Sequence, residues 1–173
     1  MTCWCCTTFW NEYQKLVGEV EIADQSKGNF QQFAESGKGR VVLHHAICGY
    51  NSWEWYRELV GGRYQRKADG EHAAATFKHG QDLVVRPVSR HPIIFGMPEI
   101  HLIDETYKGM SLSPEVNVLL RTDDPTSDGP VAWISPYAKS RVVYIQLGHD
   151  HLSHEHPNYW ALVKNAILWA GGH

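Results

Sequence analysis

Apolar and polar positions follow two periods along this chain, and each change of period marks an element. Near the carboxyl end, Val142, Val143, Tyr144, Ile145 and Leu147 form an almost unbroken apolar, β-branched run. Such a run predicts a strand buried on both faces, as in the middle of an α/β sheet. It stops at Gly148, and His149, Asp150 and His151 follow. A second strand, predicted over residues 40–44, runs Val41, Val42 and Leu43 straight into His44 and His45. In open α/β sheets ligands bind beyond the carboxyl ends of strands. Two strand ends that both carry histidines therefore make the leading candidate site.

The remaining pattern is read around those two strands. Phe9, Trp10, Tyr13, Leu16 and Val17 have helical spacing with Gly18 as a stop, and residues 20–23 predict a short strand. Phe30, Phe33 and Ala34 predict a helix closed by Gly37 and Gly39. Ser52 is the expected N-cap of a helix over residues 53–60, which Gly61 and Gly62 end. Residues 63–80 are polar and predict a long loop with a short strand at 73–77. Strands are expected at 82–86, 100–107, 116–121 and 131–135, with a turn beginning at His91 and Pro92. Residues 157–170 predict an amphipathic helix whose apolar face carries Tyr159, Leu162, Val163, Ala166 and Ile167. With α/β units at both ends and consecutive strands between, the order predicts a three-layer sandwich with an antiparallel extension.

Composition changes this picture in a few places. A chain of 173 residues is expected to form a single domain that buries its core without staples. A net charge of -3 gives no basic footprint, which argues against nucleic acid or an anionic membrane as partner. No apolar run approaches the ~20 residues of a membrane span, and the start lacks a signal-peptide pattern, so a cytoplasmic location is expected. Cys3, Cys5, Cys6 and Cys48 have neither disulfide-framework nor zinc-ribbon spacing. The eleven histidines raise the weight of acid–base or metal chemistry.

Several stretches, in order, resemble the trehalose-utilisation (ThuA-like) family: VVLHHAIC, WEWYRELVGGRY, HPIIFGMP, LIDETYKGM, LLRTDDPTSDGPVAW, RVVYIQLGHD and NAILWAGG. The resemblance implies an α/β fold, a three-layer αβα flavodoxin-like sandwich of the class I glutamine amidotransferase-like superfamily with a mixed-sheet extension. It also implies a role in sugar uptake and catabolism. Two departures stand out. Residues 1–30 are unlike the family's usual first strand–helix–strand unit. The chain also has His44-His45-Ala46-Ile47-Cys48 where an amidotransferase needs a cysteine elbow flanked by glycines, so glutamine hydrolysis is not expected.

The candidates follow. His149 is a general acid/base with Asp150 as its orienting partner, although an Asp after Gly is also a common turn or cap residue. His44 and His45 would point to opposite faces if both lay in the strand, so one of them, not both, is expected at the site. Asp104, Glu105 and Tyr107 end another strand, and Glu105 with Tyr107 could act as base or bind sugar hydroxyls. If His44, Glu105 and His149 meet, they have the composition of a divalent-metal site. Trp53 and Tyr56, next to Trp55, are a candidate sugar platform, with core packing as the plain alternative; His151 is a further candidate binding residue, while His154 and His156 read as loop residues. Trp133, Trp160 and Trp169 are assigned to core or interface. Cys48 reads as a small buried hydrophobe. Together these favour an enzyme, a hydrolase, lyase or isomerase binding a small sugar or oxidised disaccharide derivative through histidine and carboxylate chemistry. A metal-dependent hydrolase and a non-catalytic sugar- or partner-binding module are the alternatives, and a homo-oligomer is expected.

Overall fold

A computed structural model describes residues 23–173. The helix and strand expected over residues 9–17 and 20–22 lie outside the described residues, and Ala23 is the N-cap of the first helix, α1 (Asp24–Glu35). Strand β1 (Arg40–Leu43) follows and leads into a 3₁₀ turn (His44–Cys48). Helix α2 (Glu54–Val60) comes next, ended as expected by Gly61 in the left-handed region. Its N-cap is Trp53, not Ser52, and no side chain caps it.

The middle of the chain is more regular than its composition suggests. After β2 (Gly62–Arg63), the two short strands expected at 73–77 and 82–86 form one strand, β3 (Thr76–Pro87). They join through an irregularity between Lys78 and Gln81, where Gly80 takes a φ of 64°. A glycine with positive φ lets a strand kink without losing its partner, which periodicity alone cannot show. A 3₁₀ turn (Pro92–Ile94), β4 (Ile100–Lys108), β5 (Ser111–Leu112), β6 (Asn117–Thr122), β7 (Pro130–Ile134) and β8 (Val142–Ile145) complete the strands. The chain ends in α3 (His151–His154), a short helix in the stretch expected to be loop, and α4 (Pro157–Ala170).

The six-stranded sheet has the order β1-β8-β7-β6-β3-β4. Among the described residues only β1 and β8 pair in parallel, Arg40 with Val142 through Leu43 with Ile145; the other pairs in this sheet are antiparallel. Alternation along these strands divides the core in two. Val41, Val143 and Ile145 join Leu162, Val163 and Ala166 of α4 in one cluster. Val42, Val142 and Tyr144 face the other way, against Ala34 of α1 and Tyr56, Leu59 and Val60 of α2. The result is helix, sheet, helix, with the mixed-sheet extension the sequence implied. Trp133 is fully buried and donates from Nε1 to the Val60 carbonyl at 2.9 Å. Trp160, assigned to core or interface, lies on the outside of α4 with 59% of its surface exposed.

The sheet curls. β4 stands at the opposite edge from β1 in strand order, yet Asp104 of β4 accepts backbone hydrogen bonds from Gly148 and His149, just past β8. Among the described residues no helix is long and apolar enough to cross a membrane. Leu162 is fully buried where α4 meets the parallel pair. Leu162→Ala should cost roughly 2–5 kcal/mol in urea unfolding, through lost burial and the cavity left behind. A loss below about 1 kcal/mol would mean that α4 is not clamped to the sheet as described.

Candidate metal centre

The site begins where β1 stops. His44 leaves the strand with a φ of 44°, a left-handed conformation that costs a residue with a Cβ on the order of 1 kcal/mol. Its backbone is held there by Tyr144, whose hydroxyl donates to the His44 carbonyl at 2.9 Å. The His44 ring is fixed as well, Nδ1 donating to the Gln146 carbonyl. The expectation that only one of His44 and His45 reaches the site assumed that the strand continued. It ends at Leu43, and the 3₁₀ turn brings both rings inward, with centroids 4.0 Å apart.

Glu105 meets them from β4. Only 2% of the residue is exposed. Its Oε2 lies 3.0 Å from His44 Nε2, 3.3 Å from His45 Nε2 and 3.3 Å from His149 Nδ1. His44 Nε2 and His149 Nδ1 are 3.1 Å apart. The four ligand-type atoms all lie within 4.8 Å of one another. Burial pushes the Glu105 carboxyl upward, but the close His44 and His45 rings outweigh it and hold the group well below the usual carboxylate range. Burial lowers the His45 imidazole, with its contact to Glu105 opposing that shift. Burial likewise raises the Tyr107 phenol well above its ordinary value, so it is a neutral donor, 3.3 Å from His44 Nε2.

The hydrogen-bond directions show what such a cluster can hold. A carbonyl only accepts, so His44 Nδ1 carries a proton; in a neutral ring that leaves a lone pair at Nε2 for a ligand. That lone pair points toward a carboxylate. Despite three ring nitrogens close by, Glu105 Oε2 has no aligned hydrogen-bond donor, and neither Oε2 nor His45 Nδ1 has a hydrogen-bond partner. The three nitrogens and Oε2 lie together as one compact group of ligand-type atoms. A tetrahedral site with bonds of about 2.0–2.1 Å sets its ligand atoms about 3.4 Å apart, close to the separations between Oε2 and the three nitrogens. Three imidazoles and one carboxylate therefore fit a divalent transition metal.

Two backbone grips hold the ligands in place. Asp104, 2% exposed, accepts from Gly148 N at 2.8 Å, His149 N at 3.1 Å and Glu105 N at 2.7 Å. One carboxylate thus clamps the backbones of two candidate ligands, one on the edge strand β4 and one in the turn after the interior strand β8. Gly148, at φ 108°, lies where a Cβ would come within 2.3 Å of the Tyr159 hydroxyl. The sequence placed Asp104 at a strand end but gave it no role. It also passed over His79, whose Nδ1 lies 3.1 Å from Glu105 Oε1 and whose ring sits 4.6 Å from that of His149. His79 belongs to the stretch expected to be loop, and the kinked β3 is what delivers it.

Several expected site residues take other places. Asp150 is the N-cap of α3, accepting from Leu152 N at 2.9 Å, and Asp104 is the acid that holds His149 by its backbone. Tyr56 is buried, its hydroxyl donates to the Ala46 carbonyl at 2.8 Å, and its ring packs with Tyr50, Trp53 and Phe30. Trp53 belongs to the same aromatic cluster, so these rings pack the second core cluster instead of forming an open platform. His151 is exposed at the start of α3, His154 bonds the Gly148 carbonyl at 3.0 Å, and His156 caps α4. Cys48 is buried in the 3₁₀ turn, as a small hydrophobe would be.

Comparison with known proteins adds a family. A family model described as ThuA, trehalose utilisation, matches residues 6–170. Among solved structures the chain is similar to a ThuA-like protein of Parabacteroides merdae, with a TM-score of 0.76 at 18% identity over 88% of this chain and 67% of that one. A ThuA-like protein of Bacteroides uniformis gives 0.64 at 22% identity over 82% and 61%. A Salmonella typhimurium protein described as cytoplasmic gives 0.62 at 12% over 91% and 65%. At such identities the likeness is one of fold. The chain spans 61% to 67% of the length of these three structures. No curated protein matches it.

Two outcomes follow from the buried charges. Asp104→Ala leaves three backbone donors without their acceptor and should cost roughly 3 kcal/mol or more in urea unfolding. Glu105 and His45 both have folded-state pKa values below their unfolded ones. Stability from such groups is present above the unfolded pKa and is lost as pH falls. Thermal melts in chelator should therefore weaken below about pH 6.5 through His45 and again below about pH 4.3 through Glu105. Glu105→Gln should flatten the lower limb, and an unchanged slope there would remove Glu105 from the account.

Proposed function

The chain belongs to the ThuA, trehalose-utilisation family, and from that premise we propose that it is a metal-dependent enzyme acting on a small carbohydrate. His44, His45, Glu105 and His149 would hold one divalent transition metal, zinc being the best match to three nitrogens and one oxygen. The observation behind this reading is the convergence of three imidazole nitrogens and a buried carboxylate oxygen with no aligned hydrogen bond among them at Oε2. Bound there, such an ion supplies Lewis acidity beside a hydroxyl or carbonyl oxygen of the substrate.

The protein's own groups complete the assignment. Tyr107 is kept protonated, its hydroxyl 3.3 Å from His44 Nε2, and would be a donor beside the ion. His79, 58% exposed, holds the outer oxygen of Glu105 and stands between the cluster and solvent. Asp104 fixes the backbones that carry Glu105 and His149. Hydrolysis, elimination and isomerisation of a sugar all need a polarised C–O group beside a positioned donor, and this arrangement serves that shared need. A metal-free acid–base reading with Asp150 as orienter is weaker, because Asp150 is spent on the α3 cap. We place the protein in the cytoplasm.

Elemental analysis of protein purified without a metal-affinity tag tests the reading. Wild type should carry roughly one zinc-like ion per chain, His149→Ala and Glu105→Ala should lose it, and Tyr107→Phe should keep it. Calorimetry with trehalose and oxidised disaccharides would then look for binding that depends on the metal. A wild-type protein that neither retains nor takes up zinc, cobalt or manganese would overturn the metal assignment.

A further inference from the structure

The kinked strand β3 brings a second ring, besides His79, to the side of the candidate centre. β3 pairs with β6 only over Val85–Pro87, so among the described residues Thr76 to Lys78 have β4 as their one sheet partner. Residues paired directly across an antiparallel ladder put their side chains on the same face, and alternate residues of a strand share that face. Phe77 is paired with Tyr107, so it stands on the face of β4 that carries Tyr107 and Glu105. Its ring centroid lies 5.0 Å from that of His79, and the His79 ring lies 4.6 Å from that of His149. Three rings thus run in a row from solvent to a candidate ligand. The outer end of the row is open: Phe77 is 51% exposed, and every residue from Thr76 to Gly80 is exposed with it.

A single apolar side chain on a surface needs no explanation. A flat one in line with a cluster of polar ligands does, because it completes what a sugar needs. A pyranose carries hydroxyls around its rim and C–H groups across its face. A site for it therefore sets a few converging polar groups beside a flat apolar surface. The cluster supplies the polar groups, and Phe77 supplies an accessible flat surface. Trp53 and Tyr56, the rings first expected in that role, are packed in the second core cluster. Because His79 stands between Phe77 and His149, the Phe77 ring lies one ring further out than the cluster. We propose that Phe77 is the platform for the second ring of a disaccharide whose first ring reaches His44, His45, Glu105 and His149. The inference rests on the reading of that cluster as the reaction centre, and it narrows the substrate class from a small carbohydrate to a two-ring sugar.

Calorimetry on the full chain tests it, with trehalose and glucose as probes and the metal content of each sample measured alongside. Wild type should bind trehalose about tenfold tighter than glucose. Phe77→Ala should weaken trehalose by about tenfold, to the level of glucose, and leave glucose affinity and metal content as in wild type. Phe77→Tyr keeps the flat face and should bind both sugars as wild type does. No trehalose binding by wild type, equal affinity for the two sugars, or trehalose affinity unchanged in Phe77→Ala would overturn the platform. A changed oligomeric mass of Phe77→Ala in size-exclusion chromatography would assign the ring to a subunit interface and overturn it as well. Failure of the metal reading shows separately, as a protein that binds trehalose through Phe77 and holds no metal.

Discussion

The buried carboxylate of Glu105 is the constraint on which the site depends. A carboxylate at 2% exposure keeps its charge only where positive charge or donors replace the lost water. The groups that surround it come from separate parts of the chain: His44 and His45 after β1, His149 after β8, and His79 on β3. Bringing them to β4 requires the sheet to curl until its far edge returns to the carboxyl ends of the parallel pair. Asp104 holds that closure, because its two oxygens take backbone N–H groups from both sides of the junction. Sheet shape and site chemistry are thus one feature seen at two scales.

The framework was legible because burial imposes a period. The run ending at Leu147 reads as a doubly buried strand and is one, and α4 occupies residues 157–170 as its apolar face predicts. What could not be read were breaks in period caused by single residues in special conformations. Gly80 lets one strand run where two were expected, and Ser52 is by-passed because the helix starts one residue later without a side-chain cap. The curl is equally invisible, since no local pattern records which strand edge returns to which.

The site was legible in part for the same reason. Strand ends are marked by where apolar runs stop, so His44, His149 and Glu105 could be named, and the structure brings them together. A strand-phase argument allowed only one of His44 and His45 at the site, without choosing between them, and it fails once His44 turns left-handed. Asp150 looked like the partner of His149 because it is adjacent in sequence. The acid that grips that turn comes from across the sheet. Asp104 and His79 carry no local signal, and only the tertiary fold assigns them.

The proposed metal centre and a simple acid–base pair make different demands on hydrogen bonding. A general base and its orienting acid share one proton along a line, with donor and acceptor aligned. In this cluster the protonated nitrogen of His44 is committed to the Gln146 carbonyl on the far side of the ring. The opposite nitrogen faces a carboxylate oxygen that no N–H approaches along a hydrogen-bonding direction. A backbone carbonyl that holds one ring N–H, leaving the other nitrogen's lone pair free, is how proteins prepare a histidine for a metal. The left-handed turn at His44 brings that ring beside the ring of His45, their centroids 4.0 Å apart. The proposed coordination would use both His44 and His45, whereas an acid–base pair would use one of them.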